Sequence, residues 1–421
     1  MSLSSAMSSA LTALQAQATA LSVISNNISN ADTTAYKTTE ASFESMIYGD
    51  SSSSSSSGGV LVSNRANVGA QGTLASASSS TDLAISGSGF FVVKSTTSSA
   101  ASVQYTRDGE FSTNSDGILE NNGNELMGWK TDADGKIVGG TTEADLTAID
   151  TSAASTYVKG TSTASIAANL PANAATGDTY TSSMTVYDSL GTAATSTITW
   201  AKTGTNTWTA TFSDPVSSTD SSTTLGTVTS SAITVNFNSD GTLESTSPSP
   251  ATLTIGNWTT GASDSSISLN LGTSGKSDGL TQQTSSDSTL SVTPTISQDG
   301  VKYGKLSSVA VETDGTVRAT YSNGASIAIY KVAVATFTDQ NSLTSSSNGI
   351  YSANAQSGTA TLNIAGQNGA GKVEGGELES STTDTNTEFS LMIEAQHAYS
   401  AASQVISAAN SMFTTLINLM K

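Results

Sequence analysis

The chain has 421 residues, only 12% of them charged, and 34 acids against 15 bases leave a formal net charge of -19. That length holds two or three domains with separate cores. The acidity argues against nucleic acid or an anionic membrane as partner, because either would call for clustered Lys and Arg. Here the bases stand singly, as at Lys37, Arg65, Lys94 and Arg107. Excess negative charge reads instead as solubility and self-repulsion before assembly. With no cysteine, disulfides, thiolate metal sites and a cysteine nucleophile are excluded.

In chain order, the first predicted element is a helix from about Ser4 to about Asn30. Leu3, Met7, Ala10, Leu14, Leu21, Ile24 and Ile28 fall on alternating steps of three and four, and Gln17 interrupts them. This is the seam of a helix that packs in a coiled coil or bundle. No basic flank precedes it, and Ser, Thr or Gln breaks its apolar runs, so it is read as neither a secretory signal nor a membrane span. Asn26, Asn27 and Asn30 suit helix termination by local side-chain to backbone bonds. A short element from Tyr36 to Tyr48 leads into a serine run at 51–57, and residues 36–75 are read as a flexible connector.

From about Leu74 the apolar period changes to two. Leu83, Ile85 and Phe90 to Val93 flank a turn at Gly87-Ser88-Gly89. Asp-Gly pairs begin at Asp108, Asp116, Asp134, Asp240, Asp278, Asp299 and Asp314, and such pairs favour tight hairpins. The expected middle is therefore antiparallel sheet in two nested domains. Residues 76–147 and 292–372 form the inner one. Residues 148–291 form the outer, inserted one, with strands at Ser183 to Tyr187, Thr195 to Trp200, Trp208 to Phe212 and Ile233 to Phe237. Residues 373–383 complete the connector.

The last segment, 384–421, restores the helical period. Met392, Ala395, Tyr399, Ala402, Ile406, Ala409, Phe413, Leu416 and Met420 repeat the seam without a miss. The fold class is thus mainly β with long terminal helices, 1–35 and 384–421, that pair in a coiled-coil layer. Ala fills three of the nine C-terminal seam positions and one of the seven apolar N-terminal ones. Burying a large side chain is worth about 1.5–3 kcal/mol, and ordering each residue costs about 1–2 kcal/mol. Such helices call for neighbours beyond each other.

Catalytic chemistry has little footing. The single histidine, His397, lies off the seam without an evident acid or base partner. Asp132-Ala133-Asp134-Gly135 has Lys130 and Thr141 where a calcium loop needs acids, and is read as a turn. Gly87-Ser88-Gly89 lacks the third glycine of a dinucleotide loop. Trp129, Trp200, Trp208 and Trp258 are dispersed and read as packing residues. No enzyme activity, cofactor or metal is expected.

Ser25-Asn26-Asn27-Ile28-Ser29-Asn30-Ala31-Asp32-Thr33-Thr34-Ala35-Tyr36-Lys37 closely resembles the N-terminal motif of the bacterial flagellar rod and hook axial proteins. Gly376 to Ser381, Glu388-Phe389, Met392-Ile393, Gln396 and Tyr399-Ser400-Ala401 are similar to that family's other end. Ser88 to Val93, Tyr105 to Phe111 and Gly128-Trp129 match the β-domain shared by hook and distal rod. Val186 to Gly191, with Tyr321 to Gly324, resembles the hook branch in particular. Departures are the serine run, the stretch 215–232, the segment Thr382 to Thr387, Ala35 where glycine is common, and His397 where arginine is usual.

The resemblance implies a hook subunit, exported without a cleaved signal peptide through the flagellar type III apparatus. It would polymerise outside the cell into a short curved tube that acts as a universal joint. Implied partners are further copies of itself, the hook cap protein, the distal rod protein and the hook–filament junction protein. Leu14, Leu21, Ile24, Ile28, Met392, Tyr399, Ile406, Phe413 and Leu416 are the expected assembly residues, beside the motif residues Asn26, Asn27, Asn30, Tyr36 and Lys37. The free subunit is expected to have disordered ends that become helical on polymerisation. A distal rod protein is the nearest alternative, and a secreted β-rich adhesin or surface-layer protein the alternative from another class.

Overall fold

The computed structural model describes residues 3–48, 56–95, 102–285 and 291–419. Met420, the last predicted seam position, and Ser51 to Ser55 of the serine run lie outside these residues. The chain divides into two units, one built from 1–154, 308–319 and 327–421, the other from 155–307 and 320–326.

In the first unit, α1 (Leu3–Ser29) and α2 (Thr385–Leu419) are the two long helices. Asp384 starts α2, its carboxylate accepting from the backbone N–H groups of Asn386 at 2.9 Å and Thr387 at 3.3 Å. Asn30 closes α1, donating from its side chain to the Asn26 carbonyl at 2.9 Å. The helices run antiparallel, because Asn27 in the last turn of α1 bonds Glu388 in the first turn of α2. No helix of the described residues is long and apolar enough to cross a membrane.

Residues 36–75 are not the loose connector expected. They hold β1 (Thr39–Tyr48) and β2 (Ser56–Ala66), an antiparallel ribbon running from Thr39↔Ala66 to Tyr48↔Ser56. The ribbon lies along α1, and the Thr12 hydroxyl accepts from the Val60 backbone N–H at 3.3 Å. A glycine is required beside that contact. At Gly59, with φ 121°, an added Cβ would come within 2.3 Å of the Thr12 hydroxyl. The stretch 373–383 is likewise built into ladders. β3 (Leu74–Ser76) pairs with Glu377–Glu379, and β4 (Leu83–Ser86) pairs with Lys372–Gly375.

The β-core of this unit centres on β5 (Phe90–Ser95), paired with β6 (Gln104–Thr106) and with the strand Asn124–Lys130. Phe90, Val92, Tyr105, Trp129, Phe337 and Tyr351 share one cluster. The aromatic rings meet edge to face, Phe90 with Phe337 at 5.8 Å and with Tyr351 at 5.7 Å, and Tyr105 with Phe337 at 4.8 Å.

The second unit is a pair of six-stranded sheets around a core that includes Ile198, Trp200, Trp208, Val235, Leu253 and Ile267. Along Thr163–Asn169 every second residue is buried, as a sandwich strand requires. That strand runs parallel to both Ser265–Asn270 and Leu280–Thr281, so its sheet is mixed within an otherwise antiparallel arrangement. The unit extends to Ser307 rather than stopping at residue 291, because Thr295–Gln298 pairs with the same strand.

The Asp-Gly pairs separate into two groups. Those at Asp116, Asp134, Asp240 and Asp314 turn between antiparallel partners, with the glycine at positive φ. Those at Asp108, Asp278 and Asp299 join strands that do not pair with each other, and their glycines do not have positive φ. At Asp132 the carboxylate accepts from the backbone N–H groups of Asp134 at 3.1 Å and Lys136 at 2.9 Å. It serves its own turn.

Candidate assembly interface

The Asn-rich motif acts first as a joint within the chain. Asn27 is buried at the end of α1. Its amide N–H groups donate to the Thr39 carbonyl at 2.9 Å and to Glu388 Oε1 at 3.0 Å. Its Oδ1 accepts from the Tyr36 hydroxyl and the Thr39 N–H, both at 3.1 Å. All four bonds an asparagine amide can make are filled. One side chain thus ties the end of α1, the return loop, the start of β1 and the first turn of α2. Asn26 is exposed, and its part in sealing the helix is played by its carbonyl.

Glu388 is left in a mixed position. Oε1 is bonded to Asn27, whereas Oε2 is buried with no hydrogen-bond partner among the described residues. Burial pushes its carboxyl above the usual range. The Asn27 bond opposes that shift and the Glu40 charge adds to it. Burial and the Glu388 charge also raise the Tyr36 hydroxyl.

A buried charge cluster sits beside this joint. Lys37 Nζ donates to Glu379 Oε1 and to the Ala70 carbonyl, each at 2.6 Å. The same carboxylate oxygen accepts from the Gly72 N–H at 2.6 Å, and Arg107 approaches Oε2 at 3.4 Å. Arg107 also donates to the Gly87 carbonyl at 2.9 Å and stacks 5.2 Å from the centre of the Phe90 ring. The three charged side chains are at most 1% exposed. Burial draws Lys37 and Arg107 below their ordinary ranges, and Glu379 counters this in both. In the same surroundings burial drives the Tyr351 hydroxyl up to about 12. One charge comes from each end of the chain and one from the β-core, so the cluster fastens the helical arm to the β-body.

Ala35 completes the joint. It has φ 54°, a conformation that favours glycine, and its N–H donates to the Glu379 carbonyl at 2.7 Å. The departure from glycine seen in the sequence therefore falls where a side chain is disfavoured.

The predicted seam residues fare unequally within one chain. Ile24 is buried and Leu14, Leu21, Ile28, Met392 and Ile406 are half-buried. Tyr399, Phe413 and Leu416 are 42%, 40% and 55% exposed. The contact face is made chiefly of small residues, with Ala10, Ala16 and Ala20 buried on α1 and Ala395 and Ala409 on α2. A further apolar row on α2, Leu391, Val405 and Met412, is also exposed. Its seven-residue spacing, with Ala398 between, was readable in the sequence as a third apolar stripe beside the two seam positions. Glu379 and Glu388 stood in the C-terminal motif, but nothing in the sequence marked either as a partner of Asn27, Lys37 or Arg107. His397 is exposed on α2.

The family of the flagella basal body rod protein matches residues 7–37, and the C-terminal family of the basal body rod FlgEFG proteins matches 374–419. The FlgE/F/G hook D1 domain matches 84–159, and the FlaE D2 domain matches 142–301. Over their whole lengths, the chain and the flagellar hook protein FlgE of Rhizobium meliloti are 32% identical. The chain belongs to the flagellar hook protein family. The FlgE of Salmonella typhimurium is also 32% identical, over 98% of this chain and 99% of that one. The FlgE of Treponema pallidum is 29% identical over 98% and 99%. The crystal structure of Helicobacter pylori hook protein FlgE2 has the same fold, with a TM-score of 0.53 at 13% identity, covering 73% of this chain and all of that one. As a member of the hook family the chain is a structural subunit of the flagellum.

Proposed function

We propose that the subunit polymerises with copies of itself through α1 and α2, and that the resulting hook is a bendable tube carrying motor torque to the filament. The supporting observation is the apolar surface that α2 presents after α1 has packed against it. Phe389, Leu391, Ile393, Tyr399, Val405, Met412, Phe413, Leu416 and Ile417 are all at least 40% exposed. A helix apolar on this many sides is at home among several helices rather than beside one. The β-units supply the body, and a surface rich in Ser and Thr suits contacts that must exchange as the tube bends. In this reading the product is extracellular, and the subunit reaches it uncleaved through the flagellar export apparatus. It ends against distal rod, cap and hook–filament junction proteins.

The test is a pair of variants, Ile406→Asp and Phe413→Asp. Both are expected to leave the β-units folded, by near-ultraviolet circular dichroism, and to abolish polymer seen by electron microscopy. Normal curved polymers from either variant would overturn the reading.

A further inference from the structure

Four asparagines stand directly before a glycine: Asn122, Asn323, Asn348 and Asn368. That dipeptide has a chemistry of its own. The glycine nitrogen can attack the asparagine Cγ, and with no Cβ on the glycine nothing crowds the approach. A new N–Cγ bond closes a five-membered imide while the Cγ–Nδ2 bond breaks. Ammonia leaves, taking the proton that the glycine nitrogen gives up. Water then opens the imide at one carbonyl or the other, giving aspartate or isoaspartate, and nothing is oxidised or reduced. To react, the asparagine must swing its side chain and main chain toward that nitrogen. Whatever holds them sets the rate.

The fold holds the four unequally. Asn323 is half-buried, and its amide donates to the Lys302 carbonyl at 2.6 Å and to the Tyr157 carbonyl at 3.4 Å. Its Oδ1 accepts from the Ala325 N–H at 2.9 Å. The attacking group is engaged as well, because the Gly324 N–H donates to the Tyr321 carbonyl at 2.9 Å. Asn122 is exposed, but it sits in the tight turn between the paired residues Asn121 and Asn124. The Asn124 amide also donates to the Asn121 and Asn122 carbonyls, each at 3.3 Å.

Asn348 and Asn368 have no such restraint. Both are exposed, and neither side chain has a hydrogen-bond partner among the described residues. A Cβ added to Gly349 or to Gly369 would meet nothing within 4 Å, so both turns stand in open space. At Asn368 the Gly369 N–H is also without a partner among the described residues. The strands on either side of it, Thr361–Ile364 and Lys372–Gly375, pair with other strands rather than with each other. Asn348 borders a groove of about 680 Å³ beside the joint, lined also by Asp32, Asp108, Glu110, Tyr36 and Lys37. Reaction there adds one more carboxylate to an acidic groove whose lysine is already paired with Glu379.

We propose that Asn348 and Asn368 are sites of spontaneous conversion to aspartate and isoaspartate in the folded subunit, while Asn323 is held unreactive by its bonds. One chain thus carries two reactive copies of the dipeptide and its own protected control.

The test is to age the full-length chain in mildly alkaline buffer. Peptide mass spectrometry follows the amide-to-acid mass change, and labelling by an isoaspartyl methyltransferase identifies the isoaspartate. Asn348 and Asn368 are expected to convert at least about tenfold faster than Asn323, since Asn323 must open several hydrogen bonds at once. In guanidinium chloride, with the fold gone, the rates should draw together. Native conversion of Asn323 as fast as that of Asn348 and Asn368 would overturn the proposal. So would a spread of rates that persists in the denaturant, or a native chain in which Asn348 and Asn368 stay intact while the denatured chain reacts. Asn348→Gln and Asn368→Gln should each remove the signal from their own peptide, because glutamine cannot close the five-membered ring. A signal that survives the substitution would contradict the assignment.

Discussion

Two phenylalanines in this chain face opposite fates. Phe90 is fully buried, with Phe337 and Tyr351 edge-on to its ring and Arg107 stacked against it. Phe413 projects from α2 with 40% of its surface exposed. The same contrast holds between their regions. The β-units close their own cores around residues such as Trp129, Trp200 and Trp208, none more than 1% exposed. The helices pair chiefly through alanines, with Val23 and Ile24 beside them, and α2 leaves most of its large side chains exposed. The middle of the chain is a finished object and the ends are half of one, which is how a subunit that must stay separate before assembly would be built.

The largest effect expected from this contrast is in the β-core. Trp208→Ala removes a buried ring and its 2.9 Å bond to Gln282, and should cost about 4–5 kcal/mol in urea unfolding followed by fluorescence. Phe413→Ala should change the stability of the free subunit by no more than about 0.5 kcal/mol. Equal losses would erase the distinction between the regions.

Next comes the fastening between them. Glu379→Ala leaves Lys37 and Arg107 buried without their counter-charge, and should cost about 3 kcal/mol. Limited proteolysis should then release the helical arm while the β-body survives. If both fall together, the cluster belongs to the body rather than to the joint.

A smaller, opposite effect is expected at Ala35. Ala35→Gly relieves a backbone conformation that disfavours a side chain, and should stabilise by up to about 1 kcal/mol after the added freedom of the unfolded chain is offset. A lower melting temperature for the glycine variant would contradict this.

The smallest effect is a pH dependence confined to the β-body. Burial would raise the Asp314 carboxyl, but the Lys331 ammonium, the Thr316 hydroxyl and the Thr316 N–H outweigh it and bring it to about 2. Because the folded value lies below the unfolded one, its contribution is present above about pH 4 and lost as the pH falls toward about 2. The carboxylate is half exposed, so solvent screening keeps the loss small. Asp314→Asn should remove that part of the acid titration, as measured by thermal melts across the range.

The helices could be read from sequence because their period is sustained over many turns, and the sandwich strands because their alternation is strict. The ribbon β1–β2 could not. Its apolar residues do not alternate strictly, it has a serine-rich crossing and no Asn-Gly turn, and it is held by α1 rather than by a core of its own. The joint was legible only in part. Asn27 and Lys37 stood out through the motif, but Lys37 meets a carboxylate 342 positions away, and Arg107 meets the same one from 272 positions away. No local pattern carries such distances. Which seam residues stay exposed was equally out of reach, since it depends on the short alanine side chains letting α1 settle to one side of α2.

The central claim is that the ends are completed by other copies while the middle completes itself. Hydrogen–deuterium exchange of the free subunit and of the polymer tests it most directly. The expected result is strong protection of 90–95 and 198–210 in both states, with protection of 3–29 and 385–419 rising sharply only in the polymer. Equal protection of the two helices in both states would contradict it.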